Sequence, residues 1–436
     1  MDSPRRKVTS QLLQSMSTVR GSEELPIIVQ YVPHRRVLRH AEPREGLRES
    51  YAYRLAPLAH AHATRDAILA LEQDEEVLRI YQDSPVHALM DRAPTQIGVP
   101  YAWAAGLTGA GVAIALVDTG IDPTHPDLKE RIVDLADFTG QGEVDGNGHG
   151  SHCAGIAAGT GAASDGLYRG IAPGAALFAA RALDAYGNGM MSDVMAGIDW
   201  AVSAGVQIVS LSLGGAAVTS GEDPLVELCN AAVDAGVVIC AAAGNTGPAP
   251  STIGSPGVAE KVITVGAIAR DNTIASFSSR GPTADGRVKP DIVLPGTAII
   301  APRAAGTALG TVQGEYYTAL SGTSMACPMA AGLCALALEA KPSLRPSELK
   351  DALRRSAVDL GLDTNTQGTG RADTQQLFSL LGVDLPAEPA APPSTTPSEP
   401  AQGDEPAGEQ PTGEEPPKPQ GCLFGWLSAF HRRAPR

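Results

Sequence analysis

The chain has 436 residues and a formal net charge of −15, which allows roughly three compact units at about 150 residues each and lacks the basic footprint of a nucleic-acid-binding protein. Its 48 glycines and 34 prolines, against only 4% aromatics, point to a turn-rich α/β domain with closely approaching backbones plus some unfolded chain, and the absence of a G-X-Y period excludes collagen. Six cysteines with no CxxC pair and no histidine at ligand spacing indicate neither a zinc site nor a disulfide framework, and read as small buried hydrophobes.

In chain order, residues 1–23 carry basic side chains but no apolar run of signal-peptide length, so they are expected to be disordered and the chain cytoplasmic, with secretion left open. Residues 24–89 read as a small α/β unit: strands over 27–31, 51–55 and 77–81, and a helix over 64–73 capped by Thr64 with Ala67, Ile68 and Leu71 on its apolar face. From 94 to 382, apolar runs at 112–117, 176–183, 207–213, 237–242 and 262–267 alternate with helical stretches, which predicts a mostly parallel sheet covered on both faces. One helix is fully punctuated, with Asp223 as N-cap, Pro224 in its first turn and Gly236 as its stop. Residues 386–420, rich in proline and glutamate, read as an acidic disordered linker. Residues 421–436 hold an apolar cluster before Arg432 and Arg433, open between a docking peptide, a membrane-surface helix and a loose tail. No run approaches a transmembrane span.

Ligands of such a sheet sit at the carboxyl ends of its strands, and that is where the reactive residue types fall. Asp118 ends the first apolar strand in VDTGID, His149 follows in DGNGHGSHCAG, and Ser324 opens a helix in SGTSMACP. Singly, these residues read as a turn former, a loop histidine and a helix cap. Together they offer what a serine nucleophile needs, because its hydroxyl reacts near neutral pH only if a base takes the proton and an acid orients that base.

The order Asp, His, Ser, with AAAGN ending at Asn245 between the last two, resembles the subtilisin-like serine proteases, or subtilases. The resemblance covers roughly residues 94–382 and implies a three-layer α/β fold, a self-processing precursor, and peptide-bond hydrolysis through an acyl-enzyme. It implies Asp118, His149 and Ser324 as the triad, with the Asn245 side chain and the Ser324 N–H as oxyanion donors. It also implies that Ser212, Leu213 and Gly214, in SLSLGG, pair with an extended substrate on one side and Gly187 and Gly189 on the other. Met191 then lies at S4, and Ala242 to Gly244 with Gly254 line an S1 pocket suited to large apolar residues.

Residues 24–89 resemble the inhibitor I9-like propeptide of the family, with cleavage expected after Leu89 or Met90. Cys153, four residues after His149, resembles the thiol of thiol-bearing subtilases, which lies beneath the histidine without reacting. No cofactor is required. Asp127, in HPDL, matches a calcium ligand, but the loop GTGAASDGLYRG lacks the asparagines that complete that site. Ser151 stands where threonine is common, and Met329 where histidine is usual. The expected partners are polypeptide substrates and the chain's own propeptide, with a monomeric catalytic unit. The rival readings are a catalytically silent peptide-binding scaffold, which would not need the triad or Asn245, and an esterase, which would not need two strand-pairing edges.

Overall fold

Two patterns of apolar residues build the two largest of the four sheets among the described residues. The computed structural model describes residues 7–19, 23–32, 45–53, 55–83, 85–88, 96–215 and 223–387. Residues 388–436, and with them nearly all of the expected linker and the C-terminal segment, lie outside the described residues, as do Leu89 and Met90.

The N-terminal module comprises α1 (Ser10–Thr18), β1 (Glu24–Tyr31), β2 (Leu47–Ala52), β3 (Leu58–Thr64), α2 (Arg65–Gln73) and β4 (Val77–Gln82), followed by a short strand β5 (Pro85–Ala88). Its sheet is antiparallel in the order β2-β3-β1-β4. Alternation along β1 sorts the two faces. Ile27 and Val29 pack with Ile68 and Leu71 of α2 in the module's own core, while Ile28 packs with Tyr53, Leu58 and Tyr81 against residues of the larger unit.

Three expectations are corrected here. Ser10–Thr18 is helical rather than disordered, because Leu12 and Met16, one turn apart, bury against β1 and β4 while Val8 bridges to Ile80. The strand expected at 51–55 runs instead over Leu47–Ala52, since Tyr53 turns to hydrogen-bond Leu58. Its partner β3, LAHAHAT, was not expected at all.

The larger unit contains α3 (Val99–Ala104), β6 (Ala113–Asp118), β7 (Ile132–Asp137), α4 (His149–Ala158), β8 (Ala176–Arg181), β9 (Asn188–Met190), α5 (Met191–Ser203), β10 (Ile208–Leu211), β11 (Leu213–Gly214), α6 (Pro224–Asp234), β12 (Val238–Ala242) and β13 (Ile263–Ile268). It continues with β14 (Ile292–Pro295), β15 (Ile299–Pro302), β16 (Thr311–Gln313), β17 (Tyr317–Leu320), α7 (Thr323–Ala340), α8 (Pro346–Arg355), α9 (Thr364–Gln367) and α10 (Thr374–Leu380). Seven strands form a parallel sheet in the order β14-β13-β12-β10-β6-β8-β7.

Neighbouring residues on its strands feed opposite layers. Ile114 and Leu116 pack in one core with α4 and α7, while Ala115 and Val117 pack in the other with α5 and α6. The result is a three-layer α/β fold. Helix α7 is apolar enough over its length to cross a membrane by composition, but 89% of it is buried within the protein, which makes it the core helix of the sandwich. Strand order reverses between β6 and β10, so a crevice opens beyond their carboxyl ends.

Candidate active site

Asp118 is the last residue of β6, and its Oδ1 accepts from the backbone N–H of Thr119 at 2.7 Å and meets Nδ1 of His149 at 2.7 Å. His149 is the first residue of α4, set by Gly148, whose φ of +101° lies where L side chains are strained. Both side chains are buried. Burial disfavours the imidazolium, yet the adjacent Asp118 carboxylate outweighs it by charge and hydrogen bond, so the ring's pKa lies well above the ordinary histidine value.

Ser324 is the second residue of α7. Four residues on, Pro328 has no N–H to give to the Ser324 carbonyl, so the helix leaves that acceptor open. Two side chains fill it: Ser212 Oγ donates at 2.8 Å and Cys153 Sγ at 3.5 Å. In return, Ser324 Oγ donates to the Ser212 carbonyl at 3.0 Å. Cys153 Sγ also lies 3.9 Å from each ring nitrogen of His149, which places the sulfur in contact with the imidazole. Burial pushes this thiol's pKa up, against the pull of His149, so it stays protonated and is a poor nucleophile.

Asn245 follows β12 by three residues. Its Oδ1 accepts from Thr323 N and Thr323 Oγ1, both at 3.0 Å, which fixes the amide so that Nδ2 is its remaining donor, beside the N-terminus of α7. Thr323 was not anticipated in this role, although it immediately precedes the candidate nucleophile. Behind Asn245, Gly254 N donates to the Ala243 carbonyl at 3.4 Å, bringing together the residues expected to line S1.

The two expected pairing edges are present, with adjustments. The run SLSLGG is broken at Ser212: β10 ends at Leu211, and Leu213 and Gly214 form a separate strand, β11. On the other side β9 begins at Asn188, and Gly187 belongs to the preceding turn at φ +78°. A Cβ on Gly189 would collide with the Ala182 carbonyl, so only glycine fits there. Met191 is buried at the start of α5. Between the edges runs β5, antiparallel to both, pairing Leu213 with Ala88, Gly214 with His87, Gly189 with Val86 and Met190 with Pro85.

Two metal readings fail on geometry. Asp118, His149 and Cys153 offer ligand atoms within 4.8 Å of one another, but Asp118 Oδ1 already meets His149 Nδ1 at 2.7 Å, a direct hydrogen bond that leaves no room for an ion bound at about 2 Å to each. At Asp127, Oδ2 accepts from Tyr317 OH and Oδ1 from Ala163 N, both at 2.8 Å. Donor hydrogens point where calcium would need oxygens, so these residues do not fit that ion.

The fold and site define the class: a serine peptidase built on a parallel α/β sandwich. Residues 109–376 match the family model described as the subtilase family, Peptidase S8. The chain is 42% identical to serine protease AprX of Bacillus subtilis (strain 168) over 332 residues, covering 70% of this chain and 75% of that protein. It is 35% identical to subtilisin E of the same organism over 309 residues (69% and 76%), and 34% identical to M-protease of Shouchella clausii (strain KSM-K16) over 331 residues (74% and 80%). The chain belongs to the subtilase family and is a serine endopeptidase.

Proposed function

We propose that the chain is a self-processing endopeptidase in which Ser324 attacks the peptide carbonyl, His149 takes the hydroxyl proton and later gives it to the leaving amine, and Asp118 holds the imidazole in the required tautomer. For attack, the Ser324 hydroxyl turns from the Ser212 carbonyl to His149. The developing oxyanion is met by Asn245 Nδ2 and the Ser324 N–H, donors that need no rearrangement during the reaction. Water then hydrolyses the acyl-enzyme, with His149 again as the base.

The observation that carries this reading is β5. A strand of the N-terminal module fills the cleft as the middle strand between β9 and β11, the backbone pairing by which an extended substrate is bound. Residues 24–89 therefore act as a propeptide and as an intramolecular inhibitor. Leu213, which pairs with Ala88 at the end of β5, directly follows Ser212, whose carbonyl is bonded to Ser324 Oγ. On this reading the scissile bond follows Leu89. The small residues expected at S1, Ala242 to Gly244 and Gly254, carry no charge to receive a charged side chain, so large apolar P1 residues are preferred.

Mass spectrometry of the purified protein tests the proposal. It should show a mature chain beginning at Met90, with Ser324 labelled by a fluorophosphonate. A processed chain that is not labelled, or one that begins after an arginine, would overturn it.

A further inference from the structure

Asp145 is 2% exposed and lies in the loop between β7 and α4, four residues before His149. Its Oδ1 accepts from Thr119 Oγ1 at 2.9 Å, Asn147 N at 3.0 Å and Gly148 N at 2.7 Å, and its Oδ2 from Ser151 N at 2.9 Å and Ser151 Oγ at 2.7 Å. Five donors on one carboxylate exceed what a helix cap requires, which is one or two backbone N–H groups.

The partners also belong to both halves of the site. Thr119 directly follows Asp118, and its Oγ1 accepts from the N–H of Gly150, which directly follows His149, at 2.9 Å. Ser151 Oγ accepts in turn from Asp122 N at 2.9 Å. The two backbones touch here: a Cβ on Gly150 would collide with the Gly120 carbonyl, and one on Gly120 would lie 2.8 Å from the Glu143 carbonyl.

We propose that Asp145 is a positioning residue for the Asp118–His149 pair, its two carboxylate oxygens lacing the turn after β6 to the start of α4 and so holding those two side chains at hydrogen-bond distance. The inference rests on the proposed reading of Asp118, His149 and Ser324 as the reacting groups. An orienting carboxylate acts on its histidine only at close range, and a displacement of about 1 Å in such a pair costs on the order of 100-fold in rate. Without the carboxylate, the strand end and the helix start keep the Gly150 N–Thr119 Oγ1 and Asp122 N–Ser151 Oγ hydrogen bonds but lose the charged group on which both hydroxyls converge.

The test uses the full-length protein with every rate expressed per site titrated by a fluorophosphonate, so that unfolded or unprocessed chains do not count. Asp145→Asn keeps the shape but sets an amide N–H2 against the Ser151 N–H. Its kcat should fall roughly 10- to 100-fold while KM changes by no more than about twofold. The acid limb of its kcat/KM profile should move down toward the ordinary histidine range as Asp118 loses its hold on the ring. Thr119→Val, which leaves the carboxylate but removes the hydroxyl through which it reaches the turn after β6 and Gly150 N, should shift both readouts in the same direction, and Thr119→Ser, which keeps the hydroxyl, should restore them.

Where Asp145→Asn gives no titratable enzyme, the Thr119 pair decides. A lowered melting temperature with kcat and acid limb as in the parent would reduce Asp145 to a helix cap and overturn the inference. Failure of the parent chain itself to label at Ser324 would instead sink the reading on which the inference rests.

Discussion

The two modules bury their strands in opposite ways. In the larger unit the central strands of the parallel sheet are covered on both faces, and Ile263–Ile268 and Ile292–Pro295 are buried at every position. In the N-terminal module one face of the sheet packs on its own helices and the other on the larger unit, where polar anchors accompany the apolar contact. Tyr81 OH and Gln30 Nε2 donate to Glu227 at 2.8 and 2.7 Å, Tyr51 OH donates to Asp199 at 3.0 Å, and Tyr53 OH donates to the Ser192 carbonyl at 3.0 Å. One unit is a closed core that carries the reactive groups. The other completes its packing by docking, and its grip can therefore respond to solution conditions without disturbing the chemistry.

Substitution of the nucleophile separates the two most sharply. Ser324→Ala should reduce hydrolysis to no more than about a millionth, the scale of loss seen when a subtilisin loses its serine, and leave the chain uncut with its N-terminal module docked. A single full-length species on a denaturing gel checks that the chain is uncut, and a peptide-substrate assay checks the loss of hydrolysis. Asn245→Ala should fold and process slowly, with kcat per titrated site down roughly 100- to 1,000-fold, the loss that removing one such donor causes in subtilisins. Unchanged turnover would remove Asn245 from the oxyanion hole.

A pH effect sharpens the contrast from the docking side. Asp83, buried at the interface, accepts from Ser192 N at the start of α5 at 2.8 Å. Burial raises its pKa to about 7, against those hydrogen bonds, while burial lowers that of the neighbouring His60 to about 4. Between those values neither group is charged, so their 3.4 Å approach is a neutral contact rather than an ion pair. Because the docked pKa of Asp83 lies above its free value, its contribution to docking is full below about pH 4 and is lost as pH rises through about 7.

His60, whose docked pKa is lowered, gives the opposite slope between about 4 and its ordinary value of about 6.5, so the two groups offset there. After processing, the cleaved module should therefore be released more readily only as pH rises from about 6.5 through about 7, by at most about tenfold per pH unit. Incubation at pH 5 to 8 followed by assay at one fixed pH reads this, and Asp83→Asn should unmask the His60 slope, with release falling as pH rises towards about 6.5. On the catalytic side, the raised pKa of His149 places the acid limb of kcat/KM above the ordinary histidine value, with activity lost as pH falls through it. The smallest expected effect is that of Cys153→Ala. Ser212 Oγ still holds the Ser324 carbonyl, so kcat should stay within about threefold, and a mercurial that inhibits the parent by binding this thiol against His149 should leave the variant active.

What the sequence made legible follows the same division. Strands buried on both faces read as plain apolar runs, so β6 with Asp118 at its end, β8, β12 and β13 were all expected close to where they lie. The helix after Asp223 was legible to its caps, the Asp223 carboxylate accepting from Leu225 N and Val226 N. Strands that depend on a partner were harder. LAHAHAT carries little β-propensity of its own and becomes β3 because β1 and β2 flank it. The outer strand β7 is half exposed, and β16 is exposed throughout, so neither shows an apolar run.

Within the site, the residue types that carry charge or a reactive hydroxyl could be named from spacing. Thr119, Asp145 and Thr323 could not, because their importance arises only when separate turns are brought within 3 Å of one another. The motif DGNGHGSH did hold a signal, an aspartate just ahead of a helix, though one that by itself says only where a helix begins.

The cleft between β9 and β11 reads backbone on both sides, and that limits what it can accept more severely than any side-chain pocket does. A segment already in a helix has its N–H and C=O groups engaged, and one inside a sheet has its edges taken; neither can lie down between these two short strands. Only chain that is locally unravelled for four or so residues can enter. With substrate bound there as proposed, the enzyme should sense conformation before composition, sparing a well-packed protein and cutting the same protein once it is loosened.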